Sequence, residues 1–232
     1  MITTAQLHRL AQREGLRFDQ IEKDYLILWV LSGLAQAGAK EHGWVFKGGT
    51  CLRHCYYEGY RFSEDIDFSC RPKAANLHAS LDLLYTVAGW VVNASGIRLS
   101  VREPLTAPGD FQLEIPLEYS RGGAKRQGLP QVKVHLTFDE PILDKAILRI
   151  VKPGYDDLSS FILPVYSKRE ILAEKCRVRD VTPDVTNLTS ERLRIWNEKA
   201  WTNRLGPMLK DLPDFDRVWK EWVLTFRELL KG

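Results

Sequence analysis

The stretch from Phe46 to Phe68, FKGGTCLRHCYYEGYRFSEDIDF, admits few folds. Its pattern predicts the end of a strand, a glycine turn, a helix over Thr50 to Glu58 and a second strand bearing two aspartates. Gly48 and Gly49 lack a Cβ, so the backbone can turn tightly there and approach a ligand closely. A helix of about two turns from Thr50 presents its N-terminal N–H groups and positive dipole end to a phosphate. From Ser63 to Phe68 the residues alternate. Asp65 and Asp67 share one face of the strand, roughly 6.5 Å apart, and Ile66 and Phe68 share the other. Two carboxylates on one face suit magnesium (or manganese), a hard ion that takes oxygen ligands and keeps phosphates as partners. Such ions can hold the attacking and leaving oxygens of a phosphoryl displacement. Asp-x-Asp alone is commonly a solvated turn. Gly-Gly-Thr fifteen residues ahead of it makes the pattern far more specific.

Composition narrows the class. With 232 residues, 44% of them apolar, the chain can bury a sizeable core as one domain with an appendage. Thirty-three basic against 30 acidic residues leave a net charge of +3, so any basic surface must come from clustering. Cys51, Cys55, Cys70 and Cys176 form no Cys-x-x-Cys pair, and Cys51, His54 and Cys55 lack the second ligand pair of a zinc site. The N-terminus has no basic-then-apolar leader, and the apolar run near Leu26 to Leu34 is too short to span a bilayer. The expectation is a cytoplasmic protein with no membrane partner.

Along the chain, Thr3 or Thr4 can cap a first helix ending near Gly15, and Asp19-x-x-Glu22 opens a second to about Ala37. Trp44 to Lys47 reads as a strand, and Leu77 to Val91 as an amphipathic helix. Phe111 to Tyr119 and Gln131 to Phe138 are strands joined by a basic loop whose Arg121, Lys125 and Arg126 can meet an RNA backbone or simply be solvated. In the second of these strands Lys133, His135 and Thr137 alternate with core residues. Further strands are expected at Ile147 to Val151 and Phe161 to Tyr166. Ser167-x-x-Glu170 starts a helix in which Lys175 falls on the apolar stripe, where a lysine needs a partner or a task. The C-terminal part is helical, with a tryptophan-rich face from Phe215 to Leu230.

The order Gly-Gly-Thr, helix, Arg-Phe-Ser, Asp-Ile-Asp resembles the nucleotidyltransferase superfamily typified by DNA polymerase beta. Within it the chain looks most like the AbiEii/AbiGii toxin family of type IV toxin–antitoxin pairs. IEKDYLILWVL, EILAEKCR and LPDFDRVWKEWV carry the resemblance beyond the first motif. It implies an α/β (α+β) polymerase-beta-like core with a mixed sheet over 1–166 and a helical C-terminal lobe over 167–232. It also implies transfer of a nucleotide from an NTP to an RNA such as the tRNA 3′ end, with a separate DNA-binding antitoxin that need not touch the enzyme. On this reading Asp65, Asp67, Lys175 and Asp180 are catalytic. Lys47, Gly48, Gly49, Thr50, Arg61, Ser63 and Lys133 bind the nucleotide, and Asp65, Asp67 and His135 hold the metal. Lys23 and Asp24 are site-facing on resemblance alone.

Two departures stand out. His135 occupies the place of the superfamily's third carboxylate. The Arg179-Asp180 pair follows Lys175 too closely, so that Asp184 competes with Asp180 to supply the acid. They keep open a rival, a degenerate fold that binds nucleotide or RNA without catalysis. A metal-dependent nuclease suits Gly-Gly-Thr less well.

Overall fold

The computed structural model describes residues 1–57, 60–71, 77–105, 112–122, 129–178 and 214–229, with isolated positions between 190 and 198. Helix α1 (Thr4–Glu14) starts on Thr3, whose hydroxyl accepts from the Gln6 N–H while the Gln6 side chain accepts from the Thr3 N–H. It stops at Gly15 in the left-handed region, φ 66°. Helix α2 (Phe18–Gln36) begins just ahead of the expected Asp19 start, with the Gln20 side chain accepting from the Arg17 N–H.

Seven strands form one mixed sheet: β1 (Trp44–Lys47), β2 (Asp65–Cys70), β3 (Arg98–Val101), β4 (Gln112–Ser120), β5 (Gln131–Thr137), β6 (Ile147–Val151) and β7 (Phe161–Val165). Their spatial order is β3-β4-β5-β2-β1-β7-β6. Strand β2 is antiparallel to β1 and parallel to β5, with Asp67 opposite Lys47 on one side and His135 on the other. Helix α3 (Gly48–Cys51) follows β1 directly and runs on as a π-helical turn, Leu52–Tyr56. The helix expected from Thr50 thus takes in both glycines. Among the described residues the further helices include α4 (Leu77–Ser95), α5 (Lys168–Val178) and α6 (Phe215–Leu229).

Period-two alternation sorts the two faces of the sheet. Trp44, Phe46 and Phe68 point to one, with ring centroids 5.3 Å apart from Trp44 to Phe68 and from Phe46 to Phe68. Val134, Leu136 and Ile66 join them, all fully buried. Helices α2 and α4 belong to this apolar core. They meet at Gly33, where an added Cβ would lie 2.9 Å from Val87 and 3.2 Å from Trp90. Alanine gains about 1 kcal/mol of helix propensity there but overpacks the contact at about 1–3 kcal/mol. Gly33→Ala is therefore expected to lower stability by about 1 kcal/mol net, measurable by denaturant titration.

Asp65 and Asp67 occupy the opposite face, and α5 is tied to that face. Its first turn is capped by the Ser167 hydroxyl, 3.0 Å from the Glu170 N–H. The Glu170 carboxylate does not return the bond, as a full capping box would. It accepts instead from the N–H groups of Leu143 at 3.2 Å and Asp144 at 2.9 Å. Among the described residues no helix is long and apolar enough to cross a membrane.

Candidate active site

The glycine turn and the two-aspartate strand meet in space. Gly48 has φ +79°, and a Cβ built on it would fall 2.0 Å from Oδ2 of Asp67. A Cβ on Gly49 would fall 2.9 Å from the Ser63 hydroxyl and 3.4 Å from an Arg61 guanidinium nitrogen. Gly48, Gly49, Arg61, Ser63 and Asp67 therefore form one cluster at the end of β1. The Thr50 hydroxyl donates to the Asp65 backbone carbonyl. With its side chain fully buried, Thr50 fastens α3 to β2 rather than facing a ligand.

On the other side of Asp65 the sheet opens into a cavity of about 230 Å³ lined by Lys23, Glu64, Asp65, Glu114, Gln131, Lys133 and His135. Strand β5 brings His135 beside Asp67, with Nδ1 3.0 Å from Oδ1. Strand β4 brings Glu114 to the other ring nitrogen, 3.4 Å from Nε2. Glu114 also holds Lys133 at 2.6 Å. Its bond to Asp67 raises the His135 pKa, against the effect of partial burial. Both ring nitrogens of His135 face carboxylates, so when protonated it can donate to Asp67 and Glu114 at once. Burial, reinforced by the nearby Asp67, pushes the Asp65 carboxyl up. Two carboxylates crowded in this way favour a cation between them. Their oxygens fit a hard divalent ion, although among the described residues no three metal-ligating side chains are gathered into a cage.

Of the cavity residues that sequence reasoning missed, Glu114 is the one that faces His135. Its only local signal is alternation along β4, and the register that sets it against His135 is long-range. Other candidates are placed differently. The Lys47 ammonium is 5% exposed and lies between Glu140 and Glu174, so it does not line the cavity. Arg121 turns inward to the Ile2 carbonyl, with Glu22 at 3.5 Å and the Tyr25 ring beneath it, away from any RNA. The buried Glu140 contributes to the packed network rather than to the aspartate pair. Lys175 lies in α5 with its side chain outside the described ones, and Asp180, Asp184, Lys125 and Arg126 fall outside the described residues.

Lys23 does reach the cavity, where it pairs with Glu64. Asp24 does not. It is buried among Arg53 at 3.1 Å, His54 at 3.2 Å and the Tyr155 hydroxyl at 3.0 Å. Burial alone would raise its pKa, but His54 and then Arg53 and Tyr155 outweigh it and hold the carboxyl below its ordinary value. A depressed carboxylate contributes stability above the ordinary range and loses it as pH falls through the folded value. The stability gap between wild type and Asp24→Asn is expected to narrow on acidification below about pH 4, as followed by thermal melts.

Residues 29–179 match the family model described as the nucleotidyl transferase AbiEii toxin of type IV toxin–antitoxin systems. The chain belongs to the AbiEii family. It is thus a nucleotidyltransferase of the type IV toxin class. The solved structure of MenT4, a nucleotidyltransferase toxin from Mycobacterium tuberculosis, superposes with a TM-score of 0.64 at 21% identity, covering 100% of this chain and 90% of that one. JHP933 from Helicobacter pylori gives a TM-score of 0.55 at 14% identity, covering 93% of this chain and 94% of that one. At such identities the likeness is one of fold. No curated protein sequence matches the chain significantly. The AbiEii match contains the glycine turn, both aspartates, Glu114, His135 and Lys175.

Proposed function

We propose that this AbiEii chain transfers a nucleotide from an NTP to an RNA acceptor, the tRNA 3′ end foremost, with magnesium or manganese. The observation that carries the reading is the seating of the Asp67 carboxylate against Gly48, which puts acid and phosphate-accommodating turn side by side. An acceptor hydroxyl gives up its proton to solvent as its oxygen forms a new P–O bond at the α-phosphorus, the bond to the bridging oxygen breaks, and pyrophosphate leaves with the electron pair. The glycine turn leaves room for the triphosphate, and Arg61 and Ser63 supply donors beside it. Lys175 on α5 adds positive charge. Asp65 and Asp67 would hold the ion, which supplies charge neutralisation and alignment of the reacting oxygens. Glu114 keeps His135 oriented toward Asp67. Lys133 and Lys23, each paired to a glutamate at the cavity rim, offer cations to an RNA phosphate. By membership of the type IV class, the antitoxin is a separate protein that need not bind the enzyme.

The test is incubation with total tRNA, magnesium and each labelled NTP in turn. Label entering RNA supports the reading and names the nucleotide. Nucleotide binding with no label in any RNA would overturn the RNA acceptor. Shortened RNA would replace transfer with cleavage.

A further inference from the structure

Lys47 is a buried cation to which the proposed chemistry gives no task. It stands directly opposite Asp67 across the β1–β2 pair, and residues opposite each other in an antiparallel pair share a face of the sheet. Its ammonium donates to Glu140 and, at 3.1 Å, to Glu174. On the same face Ser69 donates to Glu140 at 2.8 Å and accepts from the Tyr166 hydroxyl at 2.7 Å. One ammonium therefore joins three parts of the chain beneath the two aspartates: the end of β1, the segment after β5, and α5. An ammonium so far removed from water persists only with well-placed carboxylates around it.

Glu174 makes this more than packing. Glu170, Ile171 and Glu174 fall at helical spacing on one side of α5. Glu170 holds the backbone of Leu143 and Asp144, Ile171 is 4% exposed, and Glu174 reaches Lys47. The helix is thus pinned at two successive turns. Lys175 is the next residue, and Gly48 is the next residue after Lys47.

We infer that Lys47 is a positioning residue: through its bridge to Glu174 it sets how α5, and so Lys175, stands against the glycine turn. The inference rests on the reading of Lys175 as a contact to the triphosphate. It gives the Lys47 of FKGGT a role without nucleotide contact, and it makes Glu174 the coupling element.

A double-mutant cycle tests it on the full chain. The probe is the α,β-methylene analogue of each NTP with magnesium, its affinity measured by calorimetry for wild type, Glu174→Gln, Lys175→Ala and the double variant. Lys175→Ala is expected to weaken binding about tenfold, as for the loss of one charge-assisted hydrogen bond. Glu174→Gln is expected to weaken it about fivefold on the same scale, and the double variant no more than Lys175→Ala alone. Losses that multiply in the double variant would show Glu174 acting independently of Lys175 and would overturn the inference while leaving the role of Lys175 intact. Unchanged binding by Lys175→Ala would instead remove that role and the inference with it. A Glu174→Gln protein that melts earlier yet binds normally would reduce the bridge to packing. Lys47→Met should reproduce the Glu174→Gln loss. If Lys47→Met fails to fold, Glu174→Gln, at a position 19% exposed, still decides the matter.

Discussion

Replacing Asp67 with asparagine is expected to lower nucleotide incorporation about a thousandfold, since neutralising charge at the reacting phosphate supplies several kcal/mol. Asparagine keeps the shape of the side chain and can still accept a bond from His135, so the change isolates the charge. The fold should hardly notice. The His135–Asp67 pair is partly exposed, with side-chain exposures of 33% and 28%, and an ion pair in that setting contributes little. The check is the rate of labelled NTP incorporation beside a thermal melt. A melt near that of wild type with activity lost would fit a catalytic carboxylate. Retained activity would remove Asp67 from the chemistry.

The second large effect belongs to Gly48. Alanine at φ +79° carries a conformational cost of about 1–3 kcal/mol. Its Cβ would also lie 2.0 Å from Asp67 Oδ2 and 2.9 Å from the carboxylate carbon, so one of them must move. The side chain that yields is the proposed metal ligand. Misplacement by about 1 Å can cost about a hundredfold in rate, and Gly48→Ala is expected to lose at least that much. Gly49→Ala is the milder change. Gly49 has no positive φ, and its main obstacle, 2.9 Å away, is a rotatable serine hydroxyl. Measured kcat values should fall in the order wild type, Gly49→Ala, Gly48→Ala. Equal losses would contradict the geometry.

What could be read from the chain depended on sequence distance. The glycine turn, the alternation that puts Asp65 and Asp67 on one face, and the strand from Gln131 onward were legible because each is fixed within a few residues. The mixed α/β architecture followed from them and from the family resemblance. Strand β3 was missed because it lies at the edge of the sheet with only Leu99 of its four residues buried, and the burial of Asp24 behind Arg53 and His54 has no sequence signature. The π-helical turn after Cys51 was also unmarked. Glu114 was hidden for a different reason. Its place opposite His135 depends on a register set across a hairpin loop, where a slip of one residue would turn it to the other face. Lys47 drew attention through its neighbours in the motif. Its partners, Glu140 and Glu174, lie 93 and 127 residues away, beyond any local pattern.

The strand order also bears on when during synthesis such an enzyme can begin to act. β1 and β2 are made early, yet β2 takes its second neighbour from residues 131–137 and β1 from residues 161–165. Ribosomes add about 5–20 residues per second, so the aspartates exist for several seconds before β5 emerges, and α5 emerges later still. Pairings so distant along the chain are among the slow ones to form. A nascent fragment therefore displays Asp-x-Asp beside the glycines without the histidine, the glutamate or the helix that complete the proposed catalytic face. For a member of a toxin family, the proposed active surface closes only once residues 131–137 and α5 have been made, not when its two aspartates first appear.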